Sequence, residues 1–346
     1  MALDLGGIAI LEKDKAEHVL LTWQYPSIDD DLSVVVQRHS GLKAKQVGAQ
    51  YNFLRFRTSW VYLLTILNKN EVELNAVEAF SIAVVGKTFN PEKFLALTQL
   101  LATVYTVEGS PPAVLKAYLS VFARGQYDAS EDGIEAVFDS AAYDPRRALI
   151  ATSIKDVVRM FGKDAVLIWT AMMMRKRLFV FSETSRHILR VIRAFPIFVW
   201  HRQDWSVLHP LVDIDNELEI EDLKKAGVYC AGTTNGAIGS RQNLYDVFVD
   251  VDGRQVTVAD HAKEDFILTP LQREIGNVLA TGAENEEVTD QQLIKALVGK
   301  TQSLLQKIDQ LKGDDDVLTA SHLQEAELPS AMSNLVYAIA AAEGRL

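Results

Sequence analysis

The spacing of hydrophobic and polar positions changes along the 346-residue chain. Over residues 1–125, short apolar runs separated by charged turns are followed by two helical patterns. Residues 126–147 carry six acidic residues and little periodicity, which is typical of a linker or surface loop. Strand and helix patterns alternate over residues 148–260, and residues 261–346 are mainly helical. These patterns predict a mixed α/β (α+β overall) fold, in which the first lobe has a largely antiparallel sheet.

In the first lobe, strands are expected at residues 8–11, 19–23, 53–57, 60–66 and 80–85, with a short helix at 34–38. Asn90 followed by Pro91 predicts the start of a helix, because asparagine caps the free N–H groups and proline is tolerated in the first turn. A second helix is expected to run through Leu115, Leu119 and Phe122 to Gly125.

In the second lobe, the apolar stretch 178–181 is typical of a buried strand, and the helix after it is expected to end at Pro196. Further strands are predicted at 207–212, 228–231, 246–251 and 255–258. Thr289 with Gln292 forms a capping-box pattern that predicts the start of a long helix.

Three cations, Arg175, Lys176 and Arg177, interrupt the apolar run VLIWTAMMMRKRLFVF at residues 166–181. They could belong to a broken membrane span, to a nucleic-acid contact, or to the connection between two buried elements. The cations keep the run below the roughly 18–20 uncharged residues that cross a bilayer. The net charge of −11 opposes attraction to phosphate backbones. We therefore expect them in the last turn of a helix and the loop that follows it.

Composition indicates a globular protein, with 48% hydrophobic and 23% charged residues. The single cysteine, Cys230, excludes an intramolecular disulfide framework and fits a reducing compartment. The N-terminal sequence lacks the basic leader and apolar stretch of a signal peptide. The sequence thus predicts a cytoplasmic protein with no transmembrane segment and no nucleic-acid partner.

No catalytic constellation is recognisable, and the sequence predicts no catalytic residue, no metal site and no cofactor. Two stretches, at 84–89 and 298–302, contain the Gly-Lys-Thr of a phosphate-binding loop. The motif needs a glycine five residues before its second glycine, where this chain has Ser81 and Ile294. Both matches are interpreted as chance.

The most unusual stretch is VWHRQDWSVLHP at residues 199–210. Tryptophan and arginine are enriched at interface hot spots, because they combine a large area with a polar tip. The same residues could instead be core anchors within a satisfied loop. The candidate partner-binding residues are Trp200, His201, Arg202, Gln203, Asp204 and Trp205.

A second candidate surface is an apolar stripe in the long C-terminal helix. Its members recur at spacings of three, four and seven residues and could form a helix-pairing seam: Leu297, Leu304, Ile308 and Leu311. The stripe is shorter than the three or four heptads that indicate a coiled coil, so packing within the chain is the other interpretation.

The order of several motifs resembles the DENN-domain family. TAMMMRKRLFVFS, then FPIFVWHRQDWSVLHPLV, then GVYCAG is similar to the central part of a DENN domain. LGGIAILEKD and VLLTWQYP resemble the upstream part of the domain, and NLYDVFVDVDGRQVTVA resembles the hairpin that enters its helical downstream part. The similarity spans nearly the whole chain, which fits a small single-domain member of the family.

The resemblance implies a bilobed protein with a longin-like lobe at 1–125, a linker at 126–147, a central α/β lobe at 148–260 and a helical downstream region at 261–346. It implies a guanine-nucleotide exchange factor or regulator of a Rab GTPase, recruited to late endosomes through its partners. For this type of DENN protein it also implies an alternative. The chain would then be a non-enzymatic adaptor on coiled-coil subunits of the Commander endosomal recycling assembly.

Overall fold

A computed structural model of the protein describes residues 4–44, 47–313 and 317–346. The chain forms two compact units. The N-terminal unit comprises Met1–Ala151 with Asn216–Glu219, and the C-terminal unit comprises Thr152–Asp215 with Ile220–Leu346. Each unit combines a sheet with helices, which confirms the predicted α/β fold class. The finer domain boundaries drawn from the sequence stay predictions.

The N-terminal unit is built around a five-stranded antiparallel sheet. Its elements are β1 (Leu5–Asp14), β2 (Val19–Tyr25), α1 (Asp30–His39), β3 (Gln50–Phe56), β4 (Ser59–Leu67), β5 (Val77–Gly86), α2 (Pro91–Glu108), α3 (Pro111–Arg124), β6 (Gln126–Asp128), β7 (Val137–Asp139) and α4 (Pro145–Ile150). The strand order is β2-β1-β5-β4-β3. All neighbouring strands are antiparallel, so the sheet needs no parallel crossover connection.

Helices cover both faces of this sheet. The ring of Tyr62 in β4 stacks on Phe94 of α2, with 4.0 Å between ring centroids. Thr65, three residues along the same strand, donates a 2.6 Å hydrogen bond to the carbonyl oxygen of Ser40, which ends α1. Side chains alternate between the faces of a strand, so α1 and α2 lie on opposite faces.

The helix α3 has one side in the core and another at the surface. It spans the predicted residues and ends at the left-handed Gly125, but Leu119 and Phe122 are exposed. The buried side of α3 consists instead of Val114, Ala117, Tyr118 and Val121. Leu119 and Phe122 therefore face solvent, because α3 packs on α2 and the sheet through its other side.

The C-terminal unit contains a second five-stranded sheet, in the order β12-β11-β8-β10-β9. Its elements are α5 (Ile154–Phe161), α6 (Ala165–Met173), β8 (Leu178–Phe181), α7 (Ser185–Ile192), α8 (Phe195–Phe198), β9 (Leu208–His209), α9 (Glu217–Ala226), β10 (Cys230–Thr233), β11 (Val247–Asp250), β12 (Gln255–Val258), α10 (Pro270–Glu284), α11 (Asp290–Gln310), α12 (Ala320–Glu325) and α13 (Ser330–Ala342). The strands β9, β10, β8 and β11 are parallel, and β12 pairs antiparallel with β11. The central strand β8 is almost fully buried, as a parallel strand covered on both faces should be.

Two local predictions in this unit were wrong. The strand expected at 207–212 is only the two-residue β9, because just its first residues pair with β10. Pro196 does not end the preceding helix. That helix, α7, ends at Ile192, and Pro196 lies in the first turn of α8, where its missing N–H group costs no hydrogen bond.

Candidate partner-binding surface

The candidate residues 200–205, here named the tryptophan loop, connect α8 to β9. Gln203 is exposed, Trp200 is half-buried, and Trp205 is buried. His201 is exposed as a whole residue, but its side chain is only 19% exposed. The six residues are therefore together in space but not equivalent, because some face solvent and others support them from below.

Arg202 anchors the loop from below. Its guanidinium group donates hydrogen bonds to the carbonyl oxygens of Met172 and Met173, the second at 2.6 Å. These carbonyls belong to the last turn of α6, where the regular helical hydrogen bonds end, and that of Met172 also accepts from the backbone N–H group of Arg175 at 3.3 Å. Arg202 also donates from Nε to the carboxylate of Glu343 at 3.0 Å. One buried side chain thus joins the loop, the end of α6 and the chain terminus.

Glu343 is the acceptor at the centre of this cluster. Its Oε1 atom lies 2.9 Å from Nε2 of His201 and also accepts from Arg202. Burial alone would raise the pKa of Glu343, but the hydrogen bonds from His201 and Arg202 outweigh it and lower the pKa to about 2. Burial in turn lowers the pKa of Arg202. The carboxylate is therefore ionised at neutral pH and compensates the buried guanidinium.

The two tryptophans form an edge-to-face pair, with 6.1 Å between ring centroids and an interplanar angle of 88°. The buried indole N–H group of Trp205 has no hydrogen-bond acceptor among the described residues. By contrast, the buried N–H group of Trp169 donates to the hydroxyl of Thr301 at 3.2 Å. Trp205 is therefore positioned as the support of Trp200 and cannot itself be an exposed contact.

The tip of the loop is shaped by its backbone. Gln203 has a φ of 46°, in the left-handed region that side chains other than glycine seldom adopt. Asp204 follows it, and its carboxylate accepts a 2.8 Å hydrogen bond from the backbone N–H group of Ser206. The turn thereby directs Gln203 into solvent beside Trp200.

The three cations of the apolar run lie in the connection between α6 and β8, as predicted, but none of them lies in the last turn of α6, which ends at Met173. Lys176 forms an ion pair with Asp265, and Arg177 forms one with Asp246 at 2.7 Å. Arg175 adopts a left-handed conformation, with a φ of 52°, and is exposed. A small depression beside the loop is lined by Arg175, Lys176, Arg202 and Asp204, among others.

Sequence reasoning missed what holds the loop in place. Glu343 is 141 residues from Arg202, and the acceptors from α6 are main-chain carbonyls, which no side-chain motif reveals. The only signal available was the concentration of tryptophan and arginine itself.

Three of the predicted helix-pairing residues lie on α11, and the fourth, Leu311, is its C-cap. Leu297, Leu304 and Ile308 are buried and Leu311 is half-buried. The helix α11 contacts α10, α5 and α8 of its own unit. In this structure the stripe packs within the chain, and its pairing with another protein stays a prediction.

Over the described ranges, no group of three or more histidine, cysteine, aspartate or glutamate side chains could hold a metal ion. No helix in these ranges has the length and hydropathy of a membrane span.

The protein thus belongs to the mixed α/β class, and its candidate functional site is the surface that the tryptophan loop forms. A family model described as "SPA: Stabilization of polarity axis" matches residues 151–260, which include the tryptophan loop. Similar proteins, each called DENN domain-containing protein 10, are found in distant organisms. The one from Dictyostelium discoideum is 38% identical, over 97% of this chain and 96% of its own. Those from Danio rerio and Homo sapiens are 37% and 33% identical, over 99% and 98% of this chain and over 97% and 96% of their own lengths.

The chain belongs to the DENN domain-containing protein 10 family. The resemblance seen in the order of the sequence motifs is thereby confirmed.

Proposed function

We propose that the protein is a guanine-nucleotide exchange factor, or regulator, of a Rab GTPase in late-endosomal membrane traffic. The observation that carries the proposal is family membership over nearly the full length of the chain. Exchange activity depends on the whole protein, and this chain and its relatives cover each other over almost their full lengths.

The tryptophan loop supports the proposal by its construction. The half-buried Trp200 and the exposed Gln203 stand on a base that is fixed by the contacts of Arg202 and by Trp205. A contact held in this way loses little conformational entropy when a partner binds. We propose that Trp200 and Gln203 touch the GTPase, and that Arg202 and Trp205 position them.

The chemistry of exchange requires no covalent step. An exchange factor binds the nucleotide-free GTPase more tightly than the nucleotide-loaded form, and so shifts the population toward release. Each tenfold acceleration corresponds to about 1.4 kcal/mol of differential binding. A broad, pre-formed surface can supply this energy.

The proposal is tested by mixing the purified full-length protein with a panel of Rab GTPases loaded with a fluorescent GDP analogue. At least one Rab is expected to release nucleotide faster than it does spontaneously. If the protein binds none of the Rabs and accelerates none, the proposal fails. If the protein binds a Rab but does not accelerate its nucleotide release, the protein is a regulator of that Rab and not an exchange factor.

For a Rab that responds, Trp200→Ala and Gln203→Ala test the role of the loop. Each variant is expected to slow nucleotide release by about tenfold, the effect of losing an interface hot spot worth about 1–2 kcal/mol. Ile267→Ala is a matched control, because Ile267 is an exposed apolar residue of the same unit. If nucleotide release were equally fast with all three variants, the tryptophan loop would not be part of the interface with the Rab.

The adaptor role in the Commander assembly remains the alternative hypothesis. It is separated from exchange by a pull-down with coiled-coil subunits of that assembly, in parallel with the Rab panel. Capture of those subunits together with unaccelerated release from every Rab would favour the adaptor.

A further inference from the structure

The N-terminal unit contains a groove that the proposed function does not use. It has a volume of about 490 Å³ and is bordered by one side of α2 and by the end of β4. From β4, it is lined by Ile66 and Leu67. The α2 residues that line it recur at spacings of three and four, so they lie on one side of the helix: Gln99, Ala102, Thr103, Thr106 and Val107. We name this cavity the α2 groove, and its volume falls within the range of small-molecule sites, about 300–1,000 Å³.

The walls of the α2 groove are mainly aliphatic. The small side chains of Ala102 and Thr103 leave the groove open along α2. Two larger side chains of the lining remain in contact with water, since Leu67 is 45% exposed and Val107 is 49% exposed. Covering such side chains with an apolar ligand is favourable, because it removes their surface from water. The groove therefore offers an aliphatic surface that the described part of the chain leaves partly uncovered.

The two threonine hydroxyls of the lining are already used within the helix. The hydroxyl of Thr103 donates a 2.9 Å hydrogen bond to the carbonyl oxygen of Gln99, and that of Thr106 donates one of 2.8 Å to Ala102. Neither hydroxyl therefore has a proton to offer to a ligand. The side chains of Gln99 and Lys69 remain, and neither makes a hydrogen bond or an ion pair within the described residues. Lys69 is also the only charged residue among the described residues that line the groove.

Lys69 is placed at one end of the groove by its neighbour in the loop after β4. The side-chain amide of Asn70 donates a 2.8 Å hydrogen bond to the carbonyl oxygen of Thr106, in the last turn of α2. Because Asn70 satisfies this carbonyl, the ammonium group of Lys69 is left for a ligand. Gln99 lies seven residues before Thr106, which is about 10 Å along the helix axis. The groove thus has a cation near one end and an aliphatic wall that extends away from it.

We propose that the α2 groove binds a fatty acid, a single-chain amphiphile with one carboxylate. The carboxylate pairs with Lys69, and the alkyl chain covers Leu67 and Val107. A ligand with a single charge fits best, because the net charge of −11 repels anions that carry several charges.

Other classes of ligand fit the lining less well. Nucleotides and sugars need several hydrogen-bond donors, and the lining offers only the side chains of Gln99 and Lys69. A flat ring has no aromatic side chain to stack on among the described residues of the lining. Anionic membrane surfaces are recognised by clusters of lysine and arginine, whereas this groove has one cation. The proposal does not depend on nucleotide exchange, because it concerns a different unit and a different readout.

Binding of cis-parinaric acid, a fatty acid that fluoresces in apolar surroundings, tests the proposal on the full-length protein. The wild-type chain is expected to bind one equivalent in a saturable manner, and oleate is expected to displace it. Thr103→Trp should abolish binding, because the larger side chain fills the groove. Its matched control is Thr58→Trp, at an exposed threonine in the turn between β3 and β4, which should bind like the wild type. If binding to the wild type does not saturate, or if Thr103→Trp binds equally well, the proposal is overturned.

Lys69→Met tests the contact with the carboxylate separately. It is expected to weaken binding of the acid about fivefold, the effect of losing a solvent-exposed ion pair, and to leave binding of the uncharged methyl ester unchanged. Lys87→Met is the control, because Lys87 is exposed in the same unit and does not line the groove. All four variants should keep the wild-type circular dichroism spectrum and melting temperature, since the positions are exposed. If Lys69→Met weakened acid and ester equally, or weakened neither, Lys69 would not bind the carboxylate and the proposal would fail.

Flotation with lipid vesicles distinguishes a free fatty acid from a membrane lipid. The wild-type protein is expected not to float with vesicles of phosphatidylserine and phosphatidylcholine. If it floated with them and Thr103→Trp did not, the groove would bind a membrane lipid, and the fatty-acid proposal would be wrong.

Discussion

At the residue scale, the tryptophan loop depends on one buried ion pair that joins distant parts of the C-terminal unit. Arg202 binds the final carbonyls of α6 and the carboxylate of Glu343. Removing either partner would leave a buried charge uncompensated, which is costly even where the intact pair adds little net stability. The pair therefore fixes the position of the loop more than it raises stability.

This cluster predicts a dependence of stability on pH. The pKa of Glu343 is lowered from 4.5 to about 2 in the folded protein. A lowered pKa contributes stability that is present above the unfolded value and is lost as pH falls through the folded value. Between about pH 5 and pH 2, the wild-type chain should lose about 2–3 kcal/mol more of its free energy of unfolding than Glu343→Gln does.

The measurement is urea unfolding of both proteins across this pH range. Asp246 also has a pKa lowered to about 2, so the comparison between the two proteins isolates the contribution of Glu343. Parallel stability curves would show that the carboxylate of Glu343 is not held by this cluster.

Trp205 and Trp169, which are both buried, offer a second test at this scale. Trp205→Phe removes an N–H group that has no acceptor, whereas Trp169→Phe also deprives the hydroxyl of Thr301 of its partner. We expect Trp169→Phe to lower the free energy of unfolding by about 1–2 kcal/mol more than Trp205→Phe. Urea unfolding of the two variants measures the difference. The opposite order would mean that the N–H group of Trp205 has an acceptor.

Individual contacts were the part of the molecule least accessible from sequence. The aromatic and cationic character of residues 200–205 was visible, because residue type alone carries it. The link to Glu343 was not visible, because local patterns hold no information on pairs so far apart. The exposed position of Gln203 follows from a backbone conformation that its residue type does not favour.

At the scale of elements, α11 shows how a periodic stripe can serve the core. Leu304 and Ile308 are buried against neighbouring helices of the same unit. The helix begins with a capping box, in which the hydroxyl of Thr289 accepts from the backbone of Gln292. Capping and one buried face together stabilise a helix of 21 residues.

Ile308→Ala is expected to lower the free energy of unfolding by about 2–4 kcal/mol, through lost burial and the cavity left behind. Gln306→Ala, at an exposed position of the same helix, is the control and should change it little. Thermal melting and urea unfolding check both. If Ile308→Ala melted like the wild type, the stripe would not contribute to the core, and pairing with another protein would be the favoured interpretation.

Most elements were predictable because their signals are local. The apolar runs of the first sheet, the cap at Asn90 and the buried run of β8 each depend on a few adjacent residues. The errors arose where tertiary packing decides. Strand β9 is short because its pairing with β10 stops after two residues, and Pro196 lies in the first turn of α8 and does not end α7.

At the scale of the whole molecule, family membership and the two-unit architecture favour a protein that acts by binding. The fold class followed from the order of patterns along the chain, and the family followed from the order of motifs. The identity of the partner did not, because a binding surface has no fixed spacing of chemical groups.

The central claim is that the protein distinguishes the nucleotide states of a Rab GTPase. The most direct measurement is its affinity, by biolayer interferometry, for one Rab prepared both nucleotide-free and loaded with GDP. An exchange factor must bind the nucleotide-free form more tightly, by at least about tenfold, or about 1.4 kcal/mol. Equal affinity for the two forms would contradict the claim, since a ligand without differential affinity shifts no equilibrium.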